Sequence, residues 1–301
     1  MTHVIVSEAE EILDKEFRCL DFGFVRLVDY MGGDESVVQA ARVSYGKGTK
    51  RIHEDRGLIR YLMRHQHTTP FEMVELKWHV KLPIFVARQW IRHRTANVNE
   101  YSLRYSEALD EFYIPDPKDI KFQSKSRKQS RELGAPQELQ QRVLEILKEE
   151  AIRQYQDYKE MNNKGIAREL ARIGLGVNLY TQWYWKNDLY NTFKFLELRM
   201  DDHAQEEIRV YAKTMGEIVK KVVPISYEAF EDYSLNSSSV SRLELKVVSE
   251  MLKKDRVLEE IDNINTVLES TEKGAIEVMY CGVNFGKSEL REFREKLEKL
   301  I

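Results

Sequence analysis

Between Arg92 and Tyr105 the chain reads RHRTANVNEYSLRY, which sets three arginines, a histidine, two asparagines, a glutamate and a serine in one short run. Planar guanidinium groups suit bidentate contact with phosphate, while Asn, Glu and Ser supply the mixed donors and acceptors that the edge of a uracil-like ring or a flavin requires. Arg88 and Gln89 lie just upstream. Charge alone would make an arginine-rich helix a solvated face. Here the arginines follow an otherwise apolar stretch, PIFVARQWI, and lead into NVNEYS, so they are not simply diluting an exposed surface. The residue types and their spacing point to a phosphate or nucleotide site. The alternative is a non-catalytic nucleotide- or RNA-binding protein using Arg88 to Arg104, which calls for a broad basic stripe interleaved with stacking aromatics. Only Trp90, Tyr101 and Tyr105 offer that interleaving.

Composition narrows the setting. The 301 residues are 42% hydrophobic and 32% charged, enough for a sizeable core. A formal net charge of −3 favours neither nucleic acid nor an anionic membrane as partner, so any phosphate affinity must be local. Cys19 and Cys281 are the only cysteines and lie far apart, which excludes a disulfide framework or a cysteine-rich metal site. His93 has no metal-ligating partner four residues on, and no metal is expected. The N-terminus, MTHVIVSEAEEILDKEF, is acidic and lacks a basic segment followed by an apolar one. No run approaches the ~18 apolar residues of a membrane span. The expectation is a cytoplasmic protein.

The elements that must position the arginine-rich run are readable in outline. Residues 24–31 (FVRLVDYM) suit a strand, broken by Gly32-Gly33 before a short helix over 34–44 capped by Asp34. A helix over 54–66 ends at Thr68-Thr69-Pro70, with His65 and His67 at that end. Val74, Leu76, Trp78, Val80 and Leu82 alternate with Glu75, Lys77, His79 and Lys81, the pattern of an antiparallel strand buried on one side. Pro83 then opens a helix over 84–94, which delivers Arg92, His93 and Arg94 to its C-terminal end, and Asn97 and Asn99 favour a loop or turn.

Polar residues 116–136 read as a mobile surface loop. A long amphipathic helix over 137–162 presents Leu139, Val143, Ile146, Leu147 and Tyr158, and a shorter one after Gly165 carries Arg168 and Arg172. NLYTQWYW at 178–185 is a strand, followed by helices over about 188–199 and 201–222, the second stopped by Pro224. Composition shifts near Ser234, which divides the chain into a main domain, 1–234, and a helical extension, 235–301. The extension's last helix is expected to be capped by Ser288 and to dock through Leu290, Phe293, Leu297 and Leu300.

The run at 92–102 resembles the signature of the flavin-dependent thymidylate synthases, RHR-x-x-S-x-N-E-x-S. Arg92, His93, Arg94, Asn99, Glu100 and Ser102 match in register, and Asn97 stands where the motif has its first serine. ARVSYG at 41–46, HTTPFE at 67–72, PIFVARQWIRHR at 83–94, NLYT at 178–181 and LRMDDHAQ at 198–205 also match, so the resemblance covers roughly 20–230. It implies an α+β fold, a mostly antiparallel sheet wrapped by helices, assembled as a homotetramer with sites shared between subunits. It also implies reductive methylation of dUMP to dTMP with methylenetetrahydrofolate as carbon donor, FAD as redox carrier and NADPH as reductant. Independently, neither cysteine lies near a polar cluster, which suits a route without thiol attack on the pyrimidine.

Carried over position by position, the resemblance makes Arg199 the catalytic residue that stabilises the ionised uracil ring. It makes Gln89, Arg92, Glu100, Tyr101, Ser102, Leu103, Arg104, Arg172 and Arg199 dUMP contacts. Ser44, Thr69, Arg92, His93, Arg94, Glu100 and His203 correspond to FAD contacts, and His67 to the vicinity of flavin and folate. Glu72 is either a flavin ligand or a cap. Ser102 as a nucleophile would need a base, and no histidine accompanies it in sequence. One stretch departs from the family: Asp188-Leu189-Tyr190 replaces the Asn-Ala-Arg of many members, and Lys194 replaces a polar flavin contact.

Overall fold

In a computed structural model of the chain, residues 4–43, 52–125, 131–251, 254–271 and 277–299 are described. Two compact units emerge, Met1–Thr49 with Leu62–Leu235, and Lys50–Tyr61 with Asn236–Ile301. The second therefore takes in residues 50–61, which lie within the expected main domain, 1–234.

In chain order the first unit contains α1 (Ser7–Glu10), β1 (Phe17–Cys19), β2 (Gly23–Met31) and α2 (Asp34–Val43), then most of the last turn of α3 (Ile52–Arg64), β3 (Glu75–Pro83), α4 (Ile84–Trp90) and β4 (Asn97–Glu100). It continues with β5 (Lys121–Gln123), β6 (Arg131–Gly134), α5 (Gln137–Asn163), α6 (Arg168–Ala171), β7 (Tyr180–Asp188), α7 (Leu189–Met200), α8 (Glu206–Val222) and α9 (Pro224–Phe230). One antiparallel sheet in the order β1-β2-β3-β7-β4 organises the unit. The alternation in β3 does what the sequence requires of it: Leu76, Trp78, Val80 and Leu82 are fully buried and pair with a matching inward row on β7 that includes Trp183 and Trp185.

Helices α4, α7 and α8 pack on that inner face. Trp90, the last residue of α4, lies edge-on to Trp183 (5.8 Å) and Trp185 (5.4 Å) and stacks on Phe195 of α7 at 4.4 Å. Burial of so large a ring is worth several kcal/mol, on the order of the 3–5 lost in Trp→Ala changes. The point where the chain leaves α4 for the arginine run is thereby fixed against both sheet and helix.

Several local expectations are corrected. Asn97 and Asn99 form no loop: they lie in β4, whose register with β7 runs from Asn97 opposite Lys186 to Glu100 opposite Trp183. All four β4 residues are exposed, so the edge strand has no apolar alternation to betray it. Within 116–136 there are a turn of 3-10 helix and two paired strands, β5 and β6, and Arg131 of β6 donates to both carboxylate oxygens of buried Glu207 at 2.7 Å; residues 126–130 lie outside the described residues. Leu139 and Ile146 of α5 are exposed, and its buried contacts come from Ala151 and Tyr158.

Asp34 caps a helix other than its own. Its carboxylate accepts from the backbone N–H groups of Ile225 and Ser226, both at 2.8 Å, at the start of α9. As expected, α8 ends at Val222, just before Pro224, which itself occupies the first turn of α9, where its missing N–H costs nothing.

The second unit is not purely helical. It contains α10 (Arg242–Met251), α11 (Lys254–Ser270), the hairpin of β8 (Glu277–Tyr280) and β9 (Val283–Gly286), and α12 (Lys287–Glu298). Ile264, Val278 and Leu290 form its small core, and buried Arg60 pairs with Glu289 at 2.6 Å. Ser288 lies inside the first turn of α12; the N-cap residue is Gly286, whose N–H donates to the carboxylate of Glu289 at 2.8 Å. Phe293 stays partly exposed and stacks on Phe285; Leu300 lies outside the described residues.

Candidate active site

Beyond Trp90 the helical path breaks, the His93 N–H reaching the Trp90 carbonyl at 2.9 Å. The turn brings the His93 ring edge-on to Phe195 at 5.0 Å, and Nε2 accepts a hydrogen bond from Nε of Arg199 at 3.0 Å. Burial, and after it the positive charge of Arg199, pull His93 down to about 4. The imidazole is thus neutral near pH 7, the state in which it can accept. Burial also lowers the Arg199 pKa, but a guanidinium starting so far above neutrality remains charged. Among the described residues no carboxylate lies within ion-pair reach of Arg199, and only its Nε is hydrogen-bonded. A half-buried cation whose one partner is neutral leaves both terminal nitrogens for an anionic ligand.

A second group forms where β4 leaves the sheet. The Thr181 hydroxyl donates to Oε1 of Glu100 at 2.8 Å, and the Tyr101 N–H donates to the Gln182 carbonyl at 2.8 Å. The chain then turns on Ser102, whose carbonyl accepts from the N–H groups of Tyr105 and Ser106. Ser102 Oγ accepts from the Arg104 N–H at 3.3 Å, and among the described residues no histidine bonds it to activate it as a nucleophile. Leu103 packs on a cluster that includes Phe112, Tyr158 and Leu179. Arg104 meets Glu169 of α6 at 3.2 Å, and the half-buried Arg172 follows that helix in a single turn of 3-10 helix. Both groups of the pair Arg104–Glu169 are more than half exposed (56% and 55%), so this ion pair yields readily to a competing anion.

Gln89 links α4 to the start of α8 by donating from Nε2 to Oε1 of Gln205. Two residues before Gln205, exposed His203 is held by Asp201, which accepts from its backbone N–H at 2.7 Å and contacts its Nδ1 at 2.7 Å. Arg92 and Arg94 are exposed, and neither has an ion-pair partner among the described residues. His67 and Thr69 are exposed on a separate segment, where left-handed Gln66 (φ 55°) turns the chain into the 3-10 helix Thr69–Met73 that also carries Glu72. Ser44 lies outside the described residues. On α7, Asp188 caps the helix through the Asn191 N–H at 2.8 Å, and Lys194 rests on the Tyr190 ring at 4.4 Å. Asp188, Tyr190 and Lys194, three of the four residues that depart from the family pattern, therefore have local partners.

Structure thus brings together Arg199 with His93, Glu100 with Thr181, and Gln89 with Gln205. Thr181 and Gln205 were not singled out from sequence, although each ends a segment that matched the family. Cys19 is buried, its thiol facing Thr214 Oγ1 at 3.4 Å and pushed up to about 11 by burial, so it offers no thiolate.

Residues 26–225 match the family described as thymidylate synthase complementing protein. A flavin-dependent thymidylate synthase from Rickettsia bellii is 53% identical over 270 residues, covering 85% of this chain and 92% of the relative. One from Ehrlichia ruminantium is 56% identical over 257 residues, covering 85% and 86%. This chain belongs to the flavin-dependent thymidylate synthase family. Among solved structures of similar fold, a UMP/dUMP methylase, PolB from Streptomyces cacaoi, bound with 5-Br dUMP, has a TM-score of 0.67 and 33% identity over 74% of this chain and 100% of its own. The resemblance drawn from the 92–102 motif and the expected α+β fold with an antiparallel sheet are thereby established. No helix among the described residues is long and apolar enough to cross a membrane.

Proposed function

We propose that this enzyme methylates dUMP reductively to dTMP in the cytoplasm, taking the carbon from methylenetetrahydrofolate and its reducing equivalents from NADPH by way of FAD. The observation that carries the proposal is the half-buried Arg199 guanidinium, whose one partner is a neutral imidazole. A preorganised positive charge of this kind stabilises negative charge as it develops on a pyrimidine, which is what a route without a nucleophilic thiol needs.

In this reading Gln89, Arg92, Glu100, Tyr101, Ser102, Leu103, Arg104, Arg172 and Arg199 hold dUMP. The Arg104–Glu169 pair opens to give Arg104 to the phosphate, beside Arg172. The donor set also fits FAD: Arg92 and Arg94 are exposed cations without ion-pair partners among the described residues, suited to a pyrophosphate. Thr69, His93, Glu100, His203 and the Ser44 position complete that set, and His67 stands near flavin and folate. When bound, FAD supplies hydride chemistry that no side chain provides. His93 orients Arg199, and Arg199 stays charged throughout.

The exposed apolar residues Tyr105, Leu170, Ile173 and Val177 near Arg104 and Arg172 support a homotetramer in which neighbouring subunits cover this surface. The absorption spectrum of purified protein tests the flavin assignment: bound FAD should show its two near-ultraviolet and visible bands. Protein that stays colourless after incubation with excess FAD would overturn it.

A further inference from the structure

On the inner row of β7, Thr181 occupies a position where alternation calls for an apolar side chain, alongside Trp183 and Trp185. Valine would fill the same volume. A hydroxyl at a site only 8% exposed is costly unless bonded, and its bond is to Glu100. Pairing between β4 and β7 ends with Glu100 opposite Trp183, so Thr181 lies just past the last paired residue. The glutamate is therefore held twice: by its strand's backbone and, through Oε1, by a hydroxyl from the neighbouring strand.

We infer that Thr181 is a positioning residue for the nucleotide site, fixing the Glu100 carboxylate so that Oε2 faces a hydroxyl or ring N–H of the bound pyrimidine nucleotide. The inference rests on the reading that places Glu100 in the dUMP site. Glu100 is exposed on an edge strand and would otherwise sample many rotamers. One charge-assisted hydrogen bond selects among them. Oε1 accepts from Thr181, and Oε2 carries the remaining acceptor capacity. Because the hydroxyl has one proton, the bond to Oε1 commits the Thr181 donor to Glu100.

Thr181→Val keeps shape and removes the donor; Thr181→Ser keeps the donor. In the flavin-loaded enzyme, Thr181→Val should raise KM and Kd for dUMP about tenfold, ~1.4 kcal/mol, and Thr181→Ser should restore both to within about threefold. Kd is read at equal flavin occupancy, because Glu100 is also assigned to the flavin site, and in a Glu100→Ala background Thr181→Val should add nothing to the loss. An unchanged dUMP Kd in Thr181→Val, with a raised one in Glu100→Ala, would overturn the positioning role while leaving the dUMP reading intact. An unchanged Kd in Glu100→Ala would overturn the placement of Glu100 and this inference with it. A drop in melting temperature without a change in Kd would make Thr181 a packing residue only.

Discussion

His93 offers the sharpest probe of the charge argument, because replacing it by Glu or by Gln changes little but charge. Gln presents a neutral acceptor to Nε of Arg199, as the imidazole does at 3.0 Å. Glu presents an anion of nearly the same shape, which pairs with Arg199 and compensates the charge reserved for the substrate. Two unit charges about 4 Å apart interact by ~4 kcal/mol at an effective dielectric of ~20. The site is only half-buried, and halving the figure for solvent screening leaves ~2 kcal/mol, roughly thirtyfold in rate. Steady-state dTMP formation, normalised to bound FAD because His93 is also assigned to the flavin site, should therefore give a kcat for His93→Gln roughly thirty times that of His93→Glu. Equal kcat values at equal flavin occupancy would mean that the charge state of the Arg199 partner is irrelevant to turnover, and that Arg199 does not act through an uncompensated charge.

The same histidine makes stability depend on pH. Its pKa is drawn from 6.5 to about 4 in the fold, so between those values the unfolded chain binds a proton that the folded one refuses. Stability should fall as pH drops through that window and change no further from this cause below it; the nominal ~3 kcal/mol, discounted for partial exposure, becomes ~1–2. Urea unfolding at pH 7 and pH 5 should show a slope that His93→Gln lacks. Arg199→Ala should lower dUMP turnover by ~100-fold or more while flavin content, read by absorbance, stays near wild type; simple loss of flavin would reassign the residue. Burial alone would push Glu207 up, yet the Arg131 guanidinium holds it below the usual carboxylate range. Arg131→Ala should therefore cost ~3 kcal/mol in denaturant titration, with the retained Tyr113 hydrogen bond at 3.2 Å keeping it near the low end for a broken buried pair. In the second unit, Leu290→Ala should cost about 2–5 kcal/mol of that unit's stability, since Leu290 is fully buried in a small core.

What sequence revealed follows what each element buries. Strand β3 was legible because four of its residues alternate toward a helical layer, and the start of α4 because Pro83 opens it; its end was not, since the helix stops at Trp90 instead of running to Arg94. Strand β4 was hidden: an edge strand exposed on every residue has no periodicity, and Asn97 and Asn99 carry turn propensity that pairing with β7 overrides. Long-range capping was equally invisible, since no local rule announces that Asp34 serves a helix beginning at Pro224. The site divides along the same line. Arg92 to Arg94, Glu100 and Arg199 announce themselves by type and motif. Thr181 and Gln205 do not, because a threonine inside a strand or a glutamine before a helix is ordinary until its partner, 81 or 116 residues away, is seen.

Whether the enzyme makes dTMP by a flavin route is decided by chromatographic detection of dTMP, with purified protein and each component omitted in turn. Product should form only when dUMP, methylenetetrahydrofolate, NADPH and FAD are all present, and Arg199→Ala should form it at no more than about a hundredth of the wild-type rate. Formation of dTMP by flavin-free protein, or no dTMP from flavin-loaded protein with the complete mixture, would rule that route out.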